Sequence, residues 1–563
     1  MITKICNIIF FCFIFFYQNI SYSKKIDLKE FNEKNVYNYF SALVSFNNDQ
    51  NLKSLKFFNS SKHLKESHQS YIKKYLFSLI LNGKINEAIN EIYTLENKNF
   101  SDFFEAQLLL VIDSLKKNDY KKASFHVNNL KKHQNNGTFE FIVSSGLQEY
   151  IYLFNNRIIK DDLTNEFGSL GLINKAFQNC YLNNTNTDSS FINLINAEEQ
   201  GYSRYIFFYA NFLINQKKFL EVKNVYQDID YLKSTLLIAQ SKKWIDEEKY
   251  GNFEKIFSCQ NSKDIISEFL FLISNLHSSE GNLRESNFYI NLSNFLNPEF
   301  KFNLMLLADN YLKNKDYKKT KNILKKFDKK NDIYHWHKIK KISEIIKKED
   351  NPEKSLNYIT NEFNKIKGPS LKEIYDMGNF VKAFEKYELS IEYYSKVLLK
   401  LDNKSDLYAD ILYRRGGSYE RLGNEEKSDQ DLLKSLEINP DEPYVLNYLA
   451  YSWLERNYKI DIAMEMLKKA FDQKKNDPYI IDSIGWAYYL IGDYENAEKL
   501  LRKAVQIMPR DPIVNDHYGD ILWKLDRKIQ AKYFWKNVLT FEETESKMKE
   551  EIHYKLIKGP KKS

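Results

Sequence analysis

Apolar residues recur along most of the chain in steps of three and four, the phase of helices with one buried face. A small residue returns inside that apolar stripe about every 34 residues. The clearest unit runs from Pro478 to Asp511. Ile481, Ile484, Gly485 and Tyr488 form one stripe, Gly492-Asp493-Tyr494 interrupts it, Ala497, Leu501 and Ala504 form a second, and Pro509 ends it. The pattern predicts two antiparallel helices joined by a tight turn. Counted from Pro478, the small residues fall at positions 8, 20 and 27, where they let the helix axes approach. Large residues at 4, 7, 11 and 24 fill the space between. Gly492 supplies the left-handed residue that closes the first helix, and Pro509, which lacks an N–H, stops the second.

The same phase can be walked in both directions. Forward, Gly519 takes position 8, Ala531 position 20 and Trp535 position 24. Backward, Ala450 takes position 8, with Ala463 and Ala470 following after a one-residue insertion; Gly416, Tyr419, Gly423, Ser428, Ser435 and Pro440 form the unit before. Position 8 thus falls at 274, 308, 378, 416, 450, 485 and 519, and the 70-residue gap holds a degraded unit around Trp336. Ala42, Leu76 and Val111 keep the spacing near the N-terminus, with Ala88 and Ala123 at position 20. Between 136 and 266 the helical periodicity persists, with one passable unit at Ala210 to Leu213, but no register is readable. This pattern is similar to the tetratricopeptide repeat. The resemblance implies an all-α fold, a tetratricopeptide-repeat α-solenoid: a right-handed superhelix of roughly 13 to 15 helix pairs, with a kink near 140–200. No Pro- or Gly-rich linker interrupts it, so one continuous solenoid is expected.

Composition narrows the reading. Only 17 Gly and 9 Pro among 563 residues argue against an all-β or low-complexity chain. A net charge of +8 over so large a surface is too weak for a nucleic-acid binder without a local basic stripe. The basic runs from Lys318 to Lys330 and from Lys555 to Lys562 are broken by acids or lie at a chain end, and read as solvated faces. At the other end, Lys4, the apolar run Ile5 to Tyr17 and Ser21-Tyr22-Ser23 have the three parts of a secretory signal. The run is shorter than a bilayer span, so an exported, periplasmic protein is expected, membrane-anchored only if the signal stays uncleaved. Cleavage leaves Cys180 and Cys259, which either pair in an oxidising compartment or serve as two small buried hydrophobes. The expected organisation is a leader over 1–23, degenerate repeats over 24–135, an irregular helical stretch over 136–266, repeats over 267–370, clear repeats over 371–545 and a basic tail over 546–563.

The C-terminal words are more specific than a generic array: Leu446-Asn447-Tyr448-Leu449-Ala450-Tyr451-Ser452-Trp453, Ile481-Asp482-Ser483-Ile484-Gly485-Trp486-Ala487-Tyr488-Tyr489, and Val514-Asn515-Asp516-His517-Tyr518-Gly519-Asp520. They resemble the C-terminal repeats of large exported bacterial tetratricopeptide proteins of alphaproteobacterial type. They are also similar to the pseudomonad tetratricopeptide lipoprotein adaptor of a carboxyl-terminal processing protease. The likeness covers about 370–540. It departs at the leader, where Cys12 follows Phe10-Phe11 rather than a small residue and is not a lipoprotein cysteine.

In stacked pairs the first helix lines the concave face through positions 2, 5, 9, 12 and 13. Position 5 carries Tyr413, Asn447, Asp482 and Asp516; position 9 carries Gly417, Tyr451, Trp486 and Asp520; position 12 includes Glu420, Tyr489 and Trp523. Such a ladder suits an extended peptide, its acids and amide holding backbone or basic groups and its rings holding side chains. The bland alternative is that these polar residues cap or bridge neighbouring helices. Asp482, Trp486 and Tyr489 share one face by their spacing, which predicts an exposed Trp486, or else a Trp486 in the seam near Asn515 and Gly519. No Gly-rich phosphate loop, nucleophile elbow or His-Glu-x-x-His motif occurs, and His335-Trp336-His337 has the wrong spacing for one helix face, so neither metal nor other cofactor is expected. The expectation is a non-enzymatic exported scaffold or adaptor that binds proteins or extended peptides, with no nucleic acid and no small-molecule substrate. Delivery of substrates to an envelope protease is the sharper version. A structural place in an outer-membrane or cell-wall assembly, and an enzyme site hidden in 136–266, are the alternatives.

Overall fold

Wherever position 8 was assigned, the residue is buried: Ala42, Leu76, Val111, Ser274, Ala308, Gly378, Gly416, Ala450, Gly485 and Gly519 all lie between a first helix and its partner. A Cβ on Gly485 would come within 2.9 Å of Leu501, and one on Gly378 within 2.9 Å of Tyr394, so the second helix packs directly on first-helix backbone. The computed structural model describes residues 32–560 except 67–68, 136, 161–167, 197–202, 228, 230–231, 233, 328–331 and 543. The leader expected over 1–23 lies outside the described residues. Thirty α-helices and no strand occur among those described, giving the expected all-α solenoid of helix pairs.

The turns explain why the register vanished from view in the middle of the sequence. Between first and second helices the chain passes through a left-handed residue, and glycine does this at 83, 281, 423 and 492. Elsewhere Asn118, Asn183, Lys217, Glu248, Lys315, Glu385, Asn457 and Asp526 take the same conformation, so the turn carries no glycine signature. Pairs therefore continue through 136–266: Ser169–Leu182 with Thr187–Ile195, Ser203–Asn215 with Phe219–Val225, and Leu236–Asp246 with Gly251–Ile256.

The chain divides into two compact units, Met1–Ile345 and Ile346–Ser563. The first folds back on itself. Helices Gln69–Leu81 and Phe104–Lys116 meet helix Leu283–Leu296, more than 160 residues later, with Phe77 stacked on Phe288 at 4.5 Å and Lys116 Nζ donating to the Phe295 carbonyl at 2.6 Å. Arg284 donates to Asp49 at 2.6 Å and lies over the Phe46 ring. Gly146 gives helix Phe139–Asn156 the room to sit against the Phe269 ring. Cys180 and Cys259 are joined by a disulfide, the first of the two readings left open by the sequence, with Cα atoms 5.8 Å apart. Arg204 pairs with the buried Glu268 through two hydrogen bonds of 2.7 Å, closing the same interior with a satisfied charge.

The second unit stacks regularly. Its first helices are Leu371–Ala383, Asp406–Arg421, Pro443–Glu455, Pro478–Leu490 and Pro512–Lys524. Three begin with proline at the first helical position, where the missing N–H is no loss. Asp477 and Asp511 cap two of them by accepting from two backbone N–H groups each. The stretch read as a basic tail over 546–563 is a helix, Ser546–Lys558, over its described part. It starts 34 residues after Pro512 and repeats the first-helix phase, with Ile552 at position 7 fully buried. His553 stands at its position 8 and is exposed. Without a small residue there, the half-repeat left no mark in the spacing.

Candidate functional site

Because the first helices of the second unit start in one phase, positions 4, 7 and 8 turn into the core and positions 2, 5 and 9 are presented together. Between helices Asp406–Arg421, Pro443–Glu455, Pro478–Leu490 and Pro512–Lys524 they enclose a groove of about 640 Å³. Four of the sequence-selected residues, Tyr413, Asn447, Tyr451 and Asp482, line it together. Tyr413 meets Tyr448 edge to face at 5.8 Å, and the Tyr448 hydroxyl donates to Glu420 at 3.0 Å. Gly417 leaves space at position 9 for Lys382 Nζ, which would lie 3.1 Å from a Cβ there. Burial, then Arg414 and Arg421, lower the Lys382 pKa to about 8.

The groove floor is polar and incompletely satisfied. Asp482 is 6 % exposed; its Oδ2 lies 2.9 Å from His517 Nδ1, while its Oδ1 has no hydrogen-bond partner among the described residues. Asn447 Oδ1, one repeat earlier, is likewise buried without a partner. Burial would lower the His517 pKa, but Asp482, helped by Asp516 and Asp520, raises it overall. Tyr451 is driven well above the usual phenol range, first by burial and then by Glu455, Asp482, Asp516 and Glu420.

The remaining selected residues are occupied. Trp486 is not an exposed anchor: it is half-buried, stacked on His517 at 4.1 Å and on Tyr489 at 4.5 Å, and it donates to Glu455 at 2.6 Å. This is the seam with the next first helix, and Tyr489 is buried in it. Asp516 and Asp520 both accept from Lys555 of the terminal helix, at 2.7 to 2.9 Å, and Asp520 also accepts from Trp535 at 3.1 Å. Burial and the neighbouring Asp516 push the Asp520 pKa up to about 6 against the pull of Lys555, whose own pKa the two carboxylates raise despite burial. Trp523 packs against Trp535 at 5.4 Å and lies under the backbone of Gly559. For these residues side-chain bridging between helices, the bland alternative, describes the contacts made. A smaller cavity of about 520 Å³ survives between Trp486, Tyr489 and the terminal helix.

Residues not singled out from the sequence complete the groove. Tyr444, Tyr479 and Ile513 stand at position 2 of successive repeats and are 43 %, 59 % and 53 % exposed, forming an apolar rim. Glu455 and Arg421 come from position 13. Both positions were assigned to the concave face, so the register itself held the signal. Among the described residues no group of three His, Cys, Asp or Glu is placed to hold a metal ion, and no helix is long and apolar enough to cross a membrane.

Comparison with known families matches the tetratricopeptide repeat to residues 409–442 and 480–511, two of the pairs that build this groove. A tetratricopeptide repeat-containing protein of Pseudomonas aeruginosa is 33% identical over 111 residues, which is 20% of this chain and 19% of that protein. The chain thus spans about a fifth of the length of that relative. Among solved structures, a tetratricopeptide repeat protein from Parabacteroides merdae aligns over 50% of this chain and 96% of its own, with 14% identity and a TM-score of 0.34. A thermophilic tetratricopeptide repeat protein of Thermus thermophilus aligns over 33% and 100%, with 16% identity and a TM-score of 0.30.

Proposed function

We propose that this chain is a non-enzymatic interaction scaffold that works outside the cytoplasm and holds an extended segment of a partner protein along the groove of its second unit. One observation carries the reading: residues at equivalent positions of four successive first helices, rather than a single loop or helix, line one continuous groove with a polar floor and an apolar rim. An extended chain is the ligand whose own repeat suits such a ladder, since it offers backbone groups to the floor and side chains to the rim. The leader-like N-terminal sequence and the Cys180–Cys259 disulfide support export, because disulfides persist in oxidising compartments.

Within this reading, the C-terminal words favour an adaptor that brings substrates to an envelope protease over a purely structural place in an envelope assembly. Photo-crosslinking tests both levels. A photoreactive amino acid at Tyr451 or Tyr479 in the full chain should trap a partner in envelope extract, whereas the same group at exposed Phe125 should not. Mass spectrometry of the trapped species then decides the finer role: a protease or its substrates support the adaptor, and a wall or outer-membrane complex replaces it. Equal trapping at all three positions would remove the groove from the account.

A further inference from the structure

Building on the peptide groove proposed above, we infer that its ligand presents a lysine or arginine side chain to the floor formed by Asn447 and Asp482. The first ground is the pair of orphaned acceptors. Asp482 Oδ1 and Asn447 Oδ1 are buried, line the groove, and accept no hydrogen bond among the described residues. Buried acceptors without donors are costly, so their natural complement is a group made only of donors. An ammonium or guanidinium is such a group, and it adds charge to the bond it makes with Asp482.

The second ground is charge. Five carboxylates line the groove against two guanidiniums, and Arg456 is already engaged by Asp429 at 2.7 Å and Glu425 at 3.2 Å. The tyrosines beside the floor, Tyr413, Tyr448 and Tyr451, present π faces and edges that suit a cation and its aliphatic stem.

The third ground is an internal precedent. One repeat further on, the acids at positions 5 and 9, Asp516 and Asp520, are met by Lys555 Nζ with three contacts of 2.7 to 2.9 Å. The ladder therefore receives an ammonium where the chain supplies one. At Asp482 the chain supplies only the His517 imidazole, on Oδ2; Asp482 Oδ1 and Asn447 Oδ1 accept from nothing among the described residues, and that step of the ladder is left for a ligand.

The test uses the full chain and two fluorescein-labelled dodecapeptides of serine, tyrosine and lysine, identical except that every lysine of the second is acetylated. Fluorescence anisotropy should show the lysine peptide binding at least about tenfold more tightly than its acetylated twin. Asp482→Asn should cut that difference to about twofold or less. Asn447→Asp, which adds a second carboxylate to the same groove, should tighten the lysine peptide severalfold, a gain that unfolding cannot mimic. Equal binding of the two peptides overturns the cationic ligand and leaves the groove standing. No binding of either peptide overturns both. A preference for lysine that persists unchanged in Asp482→Asn and Asn447→Asp overturns the assignment to this floor.

Discussion

The two units are built from the same kind of helix pair, yet they treat the inner face of the first helices in opposite ways. In helix Phe104–Lys116 positions 5, 9 and 12 are Leu108, Ile112 and Leu115, and every residue from Ala106 to Leu115 is buried. Apolar residues reach most of the way round this helix, with only Gln107, Asp113 and Ser114 polar in the buried run, so it has to be covered on most sides, and the later helices of the first unit fold back to do it. In the second unit the same positions are Tyr413, Asn447, Asp482, Tyr451 and Glu420. Polar groups of this kind lose hydration when covered, and along them a groove stays open. The terminal helix is instructive between these extremes: it closes over Asp516 and Asp520 only by bringing Lys555 to neutralise them.

This contrast can be broken at several points. The disulfide of the first unit closes a loop of 79 residues, and Cys180→Ser with Cys259→Ser should cost that unit up to about 4 kcal/mol. Hydrogen exchange should show lost protection over 169–296 and none over 443–558. Loss spread evenly over both units would mean that they do not fold as separate bodies. Gly485→Leu should cost about 3 kcal/mol, because its side chain must displace Leu500 and Leu501 from first-helix backbone. Thermal unfolding would reveal an error in the register if this variant melted like the wild type.

Trp486→Ala sharpens the division within the ladder. A stacked, half-buried Trp belongs to the seam, so the variant should lose about 2 kcal/mol of stability while crosslinking at Tyr451 persists. Retained melting with lost capture would return Trp486 to the groove. The smallest effect concerns pH. His517 has a raised pKa in the folded chain, so its contribution to stability is complete below the unfolded value of about 6.5 and fades as pH rises through the folded value. Asp520, raised to about 6, acts in the same direction, because the folded state holds its proton after the unfolded state has released it. The urea midpoint of the wild type should therefore fall relative to that of His517→Gln as pH rises from 4 to 8; a difference that does not change with pH would contradict the His517 assignment.

What the sequence by itself determined is everything that depends on neighbours three, four or 34 residues away. Helix phase, helix pairing and the buried small residues at 42, 274, 308, 378, 416, 450, 485 and 519 follow from local spacing, because each repeat packs first on its own partner and its nearest neighbours. Much of the groove was legible for the same reason: Tyr413, Asn447, Tyr451 and Asp482 stand at equivalent positions and share one surface. The register through 136–266 was hidden because Asn183, Lys217 and Glu248 make the left-handed turns in place of glycine. Only the tertiary structure decided which inner faces stay open. Lys555 reaching Asp516 across 39 residues, Arg284 reaching Asp49 across 235, and Lys116 reaching the Phe295 carbonyl across 179 depend on where later helices come to rest. Spacing along the chain places a side chain on a face, but whether that face meets water, a partner or another helix is set by the energy of covering it.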